Sequence, residues 1–525
     1  MNGGERSVRI EAALLDMDGV VTDTALAHAA AWKRLFDDWL GARAQRTGES
    51  FVPFDADADY QTFVDGKPRL DGIASFLASR GIDLPRGDES DAPGSDTLWG
   101  LGHAKNAHFQ AWLGESAVEA FPGTLAFVAD LRAAGVKVAL FTSSRNAQAV
   151  LRSAGIADLF DAIVDGEATA QAGLPGKPDP AIMLEAARRL GIAPERALVV
   201  EDATAGVEAG ARGPFACVVA VDREKHADAL ARAGADIVVA DLAELAYDAR
   251  EGLRVKTLRN LPSLFDREDE IRARLRGKSI AVFLDYDGTL TPIVEDPNAA
   301  RFGEAMREAV VGLARACPTA IVSGRDLPDV QRMVALDAVY YAGSHGFDMA
   351  GPDGWRETVA LGRAFQPDLA QAADALEAAL VGIDGTAVER KSFSLAVHYR
   401  RVAPADEARV FEAVERTIAA FGRLKLSRGK KVFDVKPRAD WHKGRAIRAL
   451  IAKLGLDRPD VVPVFVGDDV TDEDAFRAIA DRGLCVVVRS EEPRPTSARY
   501  ALDDVPDVAR FLQLLRRMQD EGGPA

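Results

Sequence analysis

Leu14-Leu15-Asp16-Met17-Asp18-Gly19-Val20-Val21-Thr22 returns as Phe283-Leu284-Asp285-Tyr286-Asp287-Gly288-Thr289-Leu290-Thr291, with Asp285 standing 269 residues after Asp16. Each copy ends an apolar run, Ala12 to Leu15 and Ala281 to Leu284, of the kind that forms a strand buried on both faces of a parallel sheet. The glycine after the second Asp marks where that strand stops. Both carboxylate pairs therefore fall at the C-terminal edge of a strand, where open α/β sheets bind ligands.

The chain has 525 residues, too many for one ordinary core, and the repeat divides it into two halves of similar size. With 48% hydrophobic and 28% charged residues the composition is that of a globular protein. No apolar run reaches the roughly 18–20 residues a membrane span needs. Met1 to Arg6 leads into a strand without an apolar signal segment, so a cytoplasmic location is expected. Cys217, Cys317 and Cys485 are odd in number and far apart, which fits buried thiols. A net charge of −16 argues against nucleic acid as a partner. Residues 389–445 run the other way, with 15 Lys/Arg against 7 Asp/Glu. Such a cluster reads either as a solvated face or as an electropositive lid over an anionic substrate.

In the first half, helical spacing begins at Ala25, residues 83–96 read as an exposed loop, and regular strand–helix alternation returns with Val136 to Phe141. This predicts a helical insert over about residues 25–117 in a domain spanning 1–250. Residues 251–278 are charge-rich and predict a linker helix with Ile271 and Leu275 on one side. The second domain spans 279–525. Within it, Phe393 to Tyr399 and Lys431 to Lys436 alternate as antiparallel strands do, predicting a different insert over about 347–440.

A carboxylate attacking a phosphate ester meets another anion, and two unit charges about 4 Å apart repel by roughly 4 kcal/mol at an effective dielectric near 20. Such a site needs further acidic groups for a divalent cation, a lysine, and hydroxyl or backbone donors. The first half supplies them in order as Thr142-Ser143-Ser144, Lys177 and Glu201-Asp202, and the second as Ser323-Gly324-Arg325, Lys443 and Asp468 to Asp474. Taken singly, an Asp-Gly reads as a turn, Thr-Ser-Ser as a helix cap and Gly-Lys-Pro as a loop. The ordered set, found twice, decides for phosphate chemistry.

This pattern resembles the haloacid-dehalogenase-like phosphohydrolases over nearly the whole chain. The resemblance implies an α/β class with two Rossmannoid, doubly wound parallel-sheet cores, the first with a helical cap and the second with an α+β cap. It implies that Asp16 and Asp285 are nucleophiles that form an aspartyl-phosphate. Asp18 and Asp287 would be general acids and bases, and Lys177 and Lys443 would neutralise the phosphoryl group. Thr142 and Ser323 would hold the phosphoryl oxygens. Magnesium (Mg²⁺) would be bound by Asp16, Asp18 through its carbonyl, and Asp202, and by Asp285, Asp287 through its carbonyl, and Asp468.

The second half resembles trehalose-6-phosphate phosphatases. Phe283 to Val294, Val322-Ser-Gly-Arg325, Ala342-Gly-Ser-His-Gly346 and Gly467 to Phe476 carry that likeness. It implies that Ser323, Gly324 and Arg325 bind the phosphate, and that Glu389 and Lys391 on the lid contact sugar hydroxyls. Asp434 stands in the second lid segment, Gly429 to Asp434, where that family usually has Glu. The first half resembles β-phosphoglucomutase-like members through Asp23-Thr24, His28 to Trp32, Lys105-Asn106 and Ser144-Arg145-Asn146. There the resemblance implies substrate contacts from His28, Arg69, Lys105, Thr142 and Ser143, with Lys67-Pro68-Arg69 placed to grip a second phosphate. Whether that half is a mutase or a hydrolase depends on water exclusion and stays open, as does an isomerase as the main activity or one half as a sugar-phosphate sensor. The expected partner is a small sugar phosphate, trehalose 6-phosphate for the second half, with neither nucleic acid nor membrane.

Overall fold

In the computed structural model β1 (Ala12–Asp16) is buried along its whole length, and its alternate residues face two different cores. Ala13 and Leu15 join one apolar layer with Phe127 and Leu131, while Ala12 and Leu14 join another with Ile182 and Ala186. An apolar run without alternation thus becomes a central parallel strand with helices on both sides. The structure describes residues 8–522 apart from 57–58, 65–66, 116, 224, 295–299, 302, 430 and 492, so Met1 to Arg6 and the lid residue Lys430 lie outside the described residues. The chain divides into two units, Met1–Lys256 and Thr257–Ala525.

The first unit adds β2 (Lys137–Phe141), β3 (Ala162–Val164), β4 (Ala197–Glu201), β5 (Cys217–Val221) and β6 (Ile237–Val239), giving a parallel sheet in the order β3-β2-β1-β4-β5-β6. β1 lies at the centre, between β2 and β4, so the ends of three neighbouring strands surround Asp16. Helices Ala25–Thr47, Arg69–Ser79 and Leu98–Glu115 form the insert. They close on an aromatic core in which the Phe36 ring lies 4.2 Å from Phe76 and 5.1 Å from Phe54. Trp32 and Trp39 are buried in the same cluster.

The expected linker over 251–278 is not an intervening segment. β7 (Leu245–Asp248) and β8 (Gly252–Val255) make a hairpin of the first unit. The helix Glu268–Leu275 buries Ile271 and Leu275 in the core of the second unit. The two apolar residues read as one side of an exposed helix are the side that packs.

The second unit contains β9 (Ser279–Leu284), β10 (Thr319–Val322), β11 (Tyr340–Gly343), β12 (Asp348–Ala350), β13 (Arg356–Thr358), β14 (Ala387–Arg390), β15 (Leu395–His398), β16 (Leu424–Gly429), β17 (Val432–Pro437), β18 (Val461–Gly467), β19 (Leu484–Val488) and β20 (Tyr500–Leu502). Eight of these form the core sheet β13-β12-β11-β10-β9-β18-β19-β20, parallel except that β12 runs antiparallel to both its neighbours, β11 and β13. The insert therefore begins after β13 rather than at residue 347. Asp348 pins that antiparallel edge by accepting from Arg356 at 2.6 Å and Thr358 Oγ1 at 2.9 Å. The insert is a four-stranded antiparallel sheet, β14-β15-β17-β16. Leu395, Val397, Phe433 and Val435 pack on helices Gln366–Ala379 and Glu407–Ala419, leaving the alternate residues on the opposite face. Among the described residues no helix is long and apolar enough to cross a membrane.

Candidate active sites

Asp285 extends the ladder beyond β9, donating its N–H to Val466 O at 2.9 Å, and the chain then folds back so that Leu290 and Thr291 bond Tyr286 O. This turn aims Asp285 and Asp287 past the sheet edge. Gly288 allows it with φ +85°, and a Cβ there would stand 2.0 Å from Asp468 Oδ2. Gly19 repeats the feature with φ +78° against Asp202. Gly288→Ala is expected to cost about 1–3 kcal/mol, since it adds a strained φ and displaces Asp468. Urea denaturation of the two proteins measures the difference.

Lys443 opens the helix Lys443–Lys453 and is buried, with Nζ 2.7 Å from Asp285 Oδ1 and 2.6 Å from Asp472 Oδ1. The other oxygen of Asp472 accepts the N–H groups of Asp468 and Asp469 at 2.9 and 3.0 Å. Asp468 accepts from Thr289 Oγ1 at 3.0 Å. The first unit repeats this floor. Lys177 Nζ lies 2.6 Å from Asp16 Oδ1 and also bonds Glu201, whose second oxygen accepts Asp202 N–H at 3.1 Å. Glu201 and Asp472 thus do the same work, bracing the lysine and the loop that carries Asp202 or Asp468. Both lie in the acidic segments read from sequence as cation-binding, but neither was singled out there and the bracing role was missed. Glu201 does leave a signal there, a charge ending an otherwise apolar strand, which must find a partner when buried.

Burial raises the pKa of Asp285, with Lys443 opposing and the neighbouring carboxylates adding to it. Burial and the adjacent aspartates push Asp468 up to about 7 and Asp472 up to about 6. Asp16 is raised for the same reason, against the pull of Lys177. Burial disfavours the charge on Lys443 and Lys177, yet the two carboxylates beside each outweigh it and raise its pKa. One oxygen each of Asp285, Asp468 and Asp472 lies within 4.8 Å of the others, as do those of Asp16, Glu201 and Asp202. Three carboxylates against one lysine leave surplus negative charge, and the donors are hard oxygens without sulfur or imidazole. That set fits a hard divalent cation.

The second carboxylate of each pair is held differently. Asp287 takes a two-pronged bond from Arg325, Nε to Oδ2 at 2.7 Å and NH2 to Oδ1 at 2.5 Å. Arg325, expected at the substrate, is engaged with Asp287 in this structure. Asp18 accepts from Thr24 Oγ1 and lies 3.5 Å from His28 Nε2, while His28 Nδ1 is 2.9 Å from Lys105 Nζ. Burial acts to raise Asp18, but His28 and Thr24 bring it below the usual carboxylate range. Lys105 is pushed down to about 7 by burial and by Arg69, and sits over the rings of Trp32 and Phe109.

Thr142 and Ser323 occupy matching places after β2 and β10. Each is buried, and each side-chain oxygen accepts a backbone N–H two residues on, Ser144 at 3.0 Å and Arg325 at 3.1 Å, which leaves the O–H as a donor. In the first unit a cavity of about 390 Å³ brings Asp16, Asp18, His28 and Lys177 together with Arg69, Lys105, Thr142 and Ser143. Arg69 is tied within the cap to Gly102 O at 3.2 Å and Asn106 Oδ1 at 3.0 Å. In the second unit Glu389 pairs with Ala396, which pairs with Asp434, so both carboxylates share the face opposite the cap helices. Glu389 bonds His398 at 2.8 Å, and Lys391 follows β14 in the turn closed by its N–H to Ser394 O. Lys436 Nζ, 3.5 Å from His345 Nε2, and Ser392, bonded to Asp326, connect this cap to the core.

Two family profiles match the chain, haloacid dehalogenase-like hydrolase over residues 10–213 and trehalose-phosphatase over 283–506. The folds of both units are those of haloacid dehalogenase-like hydrolases. A trehalose-phosphate phosphatase of Mycobacterium leprae is 37% identical over 408 residues, covering 75% of this chain and 92% of that protein. The chain belongs to the trehalose-phosphate phosphatase family. An uncharacterized glycosyl hydrolase of Mycobacterium tuberculosis is 41% identical over 510 residues, 96% of this chain, and the chain spans 38% of that relative's length. The chain is also similar to a solved β-phosphoglucomutase from Clostridium difficile, at 27% identity and a TM-score of 0.35, over 44% of this chain and 90% of that one.

Proposed function

We propose that the chain is a cytoplasmic, Mg²⁺-dependent phosphatase whose second unit hydrolyses trehalose 6-phosphate to trehalose and phosphate through an aspartyl-phosphate. The observation that carries this reading is the buried floor in which Lys443 joins Asp285 to Asp472, beside Asp468 and two residues before Asp287. Asp285 attacks phosphorus as the ester P–O bond breaks, and Asp287, entering protonated with one oxygen turned from Arg325 to the leaving group, gives its proton to the departing sugar oxygen. Asp287 then takes a proton from water, whose oxygen attacks the aspartyl-phosphate, releasing phosphate and restoring Asp285. Ser323 donates to a phosphoryl oxygen, Lys443 fixes and neutralises the nucleophile, and Arg325 orients Asp287. Asp285, Asp468 and the carbonyl of Asp287 would hold Mg²⁺ in this unit, and Asp16, Asp202 and the carbonyl of Asp18 in the first; when bound, the ion offsets the repulsion between carboxylate and phosphate. The cap face bearing Glu389 and Asp434, with Lys391 beside it, suits a sugar, which offers hydroxyls rather than apolar bulk.

The first unit carries a second sugar-phosphate site of phosphatase or mutase type, supported by the matching Lys177 floor and by Arg69 and Lys105 around its cavity. Incubation with β-glucose 1-phosphate separates the two, since a mutase makes glucose 6-phosphate and a phosphatase makes glucose. The main test is phosphate release by the full chain over a panel of sugar phosphates with Mg²⁺. Trehalose 6-phosphate is expected to be the best substrate, and excess chelator is expected to remove at least about 99% of the activity, with recovery on adding Mg²⁺. Turnover no better than that of glucose 6-phosphate overturns the substrate assignment.

A further inference from the structure

Between the floor of the second site and its cap stands His345, which the mechanism above does not use. Ser344, His345 and Gly346 follow β11 with φ of 50°, 55° and 91°. Two of these three left-handed residues carry side chains, at a cost of about 1–2 kcal/mol each, and strain of this kind collects at functional sites. Hydrogen bonds from Ser344 N–H to Arg325 O at 2.6 Å and from His345 N–H to Ser323 O at 2.9 Å hold the turn to the phosphate loop. The imidazole lies against Gly324, where a Cβ would be 2.9 Å from its Cε1. From the cap, Lys436 Nζ approaches Nε2 to 3.5 Å. Asp326 ties the same turn to the cap by accepting from Ser344 Oγ at 2.6 Å and Ser392 N–H at 2.8 Å.

Burial holds the His345 pKa well below its usual value, and Lys436, Lys443 and Lys391 add to this while Asp469 opposes. Lys443 and Asp469 belong to the floor, Lys436 and Lys391 to the cap, so the ring is bracketed between the two. A neutral ring with Nε2 facing an ammonium carries its hydrogen on Nδ1 and offers it as a donor.

We propose that His345 is a specificity-determining residue that donates a hydrogen bond to the hydroxyl-bearing leaving group while the Ser323-Gly324 loop holds the phosphoryl group. This rests on the phosphatase reading of the second unit. The test uses the full chain carrying Asp16→Asn, so that turnover comes from the second site. kcat/KM is measured on trehalose 6-phosphate and on p-nitrophenyl phosphate, whose leaving group has no sugar hydroxyls, with and without His345→Gly. Glycine tolerates the left-handed backbone and removes the ring, and a thermal melt checks the fold. The ratio of the two kcat/KM values is expected to fall roughly 10- to 100-fold, with partial rescue by His345→Asn, whose amide nitrogen stands as far along the side chain as Nδ1. A fall of less than about tenfold, or equal loss on both substrates, overturns the inference. If the parent does not hydrolyse trehalose 6-phosphate, the substrate reading has failed on its own. The ratio is then taken with the sugar phosphate that the parent hydrolyses fastest, under the same criterion.

Discussion

Asp285→Asn is expected to lower phosphate release from trehalose 6-phosphate by about 10⁴-fold or more, leaving the fold intact. An amide has the size of the carboxylate but is far too weak a nucleophile to open an ester of phosphoric acid. Lys443 keeps Asp472 as its partner at 2.6 Å, so the lysine does not lose its last counter-charge. Burial already penalises the ionised form of Asp285, and a neutral side chain there is therefore expected to leave the melting temperature unchanged or raise it. Asp16→Asn, made in the same way, is expected to leave trehalose 6-phosphate turnover within about twofold of the parent, because that residue serves the other unit. Steady-state phosphate release by the two variants distinguishes the sites. Retention of a tenth of the activity by Asp285→Asn would place the nucleophile elsewhere.

Lys443→Met is expected to combine a loss of about 10³-fold in turnover with about 3–5 kcal/mol of destabilisation. The substitution keeps side-chain bulk but leaves Asp285 and Asp472 buried without their cation. Its pH dependence follows from the directions of the shifts. Lys443 has a raised pKa, so its stabilising effect is fully present below the ordinary lysine value near 10 and is lost only as pH climbs through the higher folded value. Asp285 and Asp472 are raised carboxyls, which cost stability as pH climbs from about 4 to their folded pKa values. Without the lysine these values rise further. The variant is therefore expected to lose less stability at pH 5.5 than at pH 8, as read by urea melts with chelator present. Equal loss at both pH values would mean that the lysine acts by packing rather than by charge.

Much of this architecture is legible in the chain because two signals coincide. Ala12 to Leu15 and Ala281 to Leu284 are apolar without alternation, which only a strand covered on both faces accommodates, and each stops at a turn carrying two acids. The order of hydroxyl, lysine and acid segments then marks which other strand ends meet there. What stays hidden is partner choice among similar groups. Asp468, Asp469, Asp472 and Asp474 crowd one short segment, and only coordinates single out Asp472 as the brace for Lys443. Arg325 reads as a phosphate ligand from its motif, while its guanidinium closes on Asp287 across a separation of 38 residues. The short strands β12 and β13, three residues each, carry too little periodicity to be told from the start of an insert.

Within one chain, a matching lysine-centred floor lies beside two unlike holds on the second aspartate of the pair: a guanidinium fork in one unit, and a hydroxyl with a nearby imidazole and ammonium in the other. Under the proposed mechanism, substitutions in these holds would retune proton transfer in one half while leaving the lysine-bound carboxylate beneath it in place.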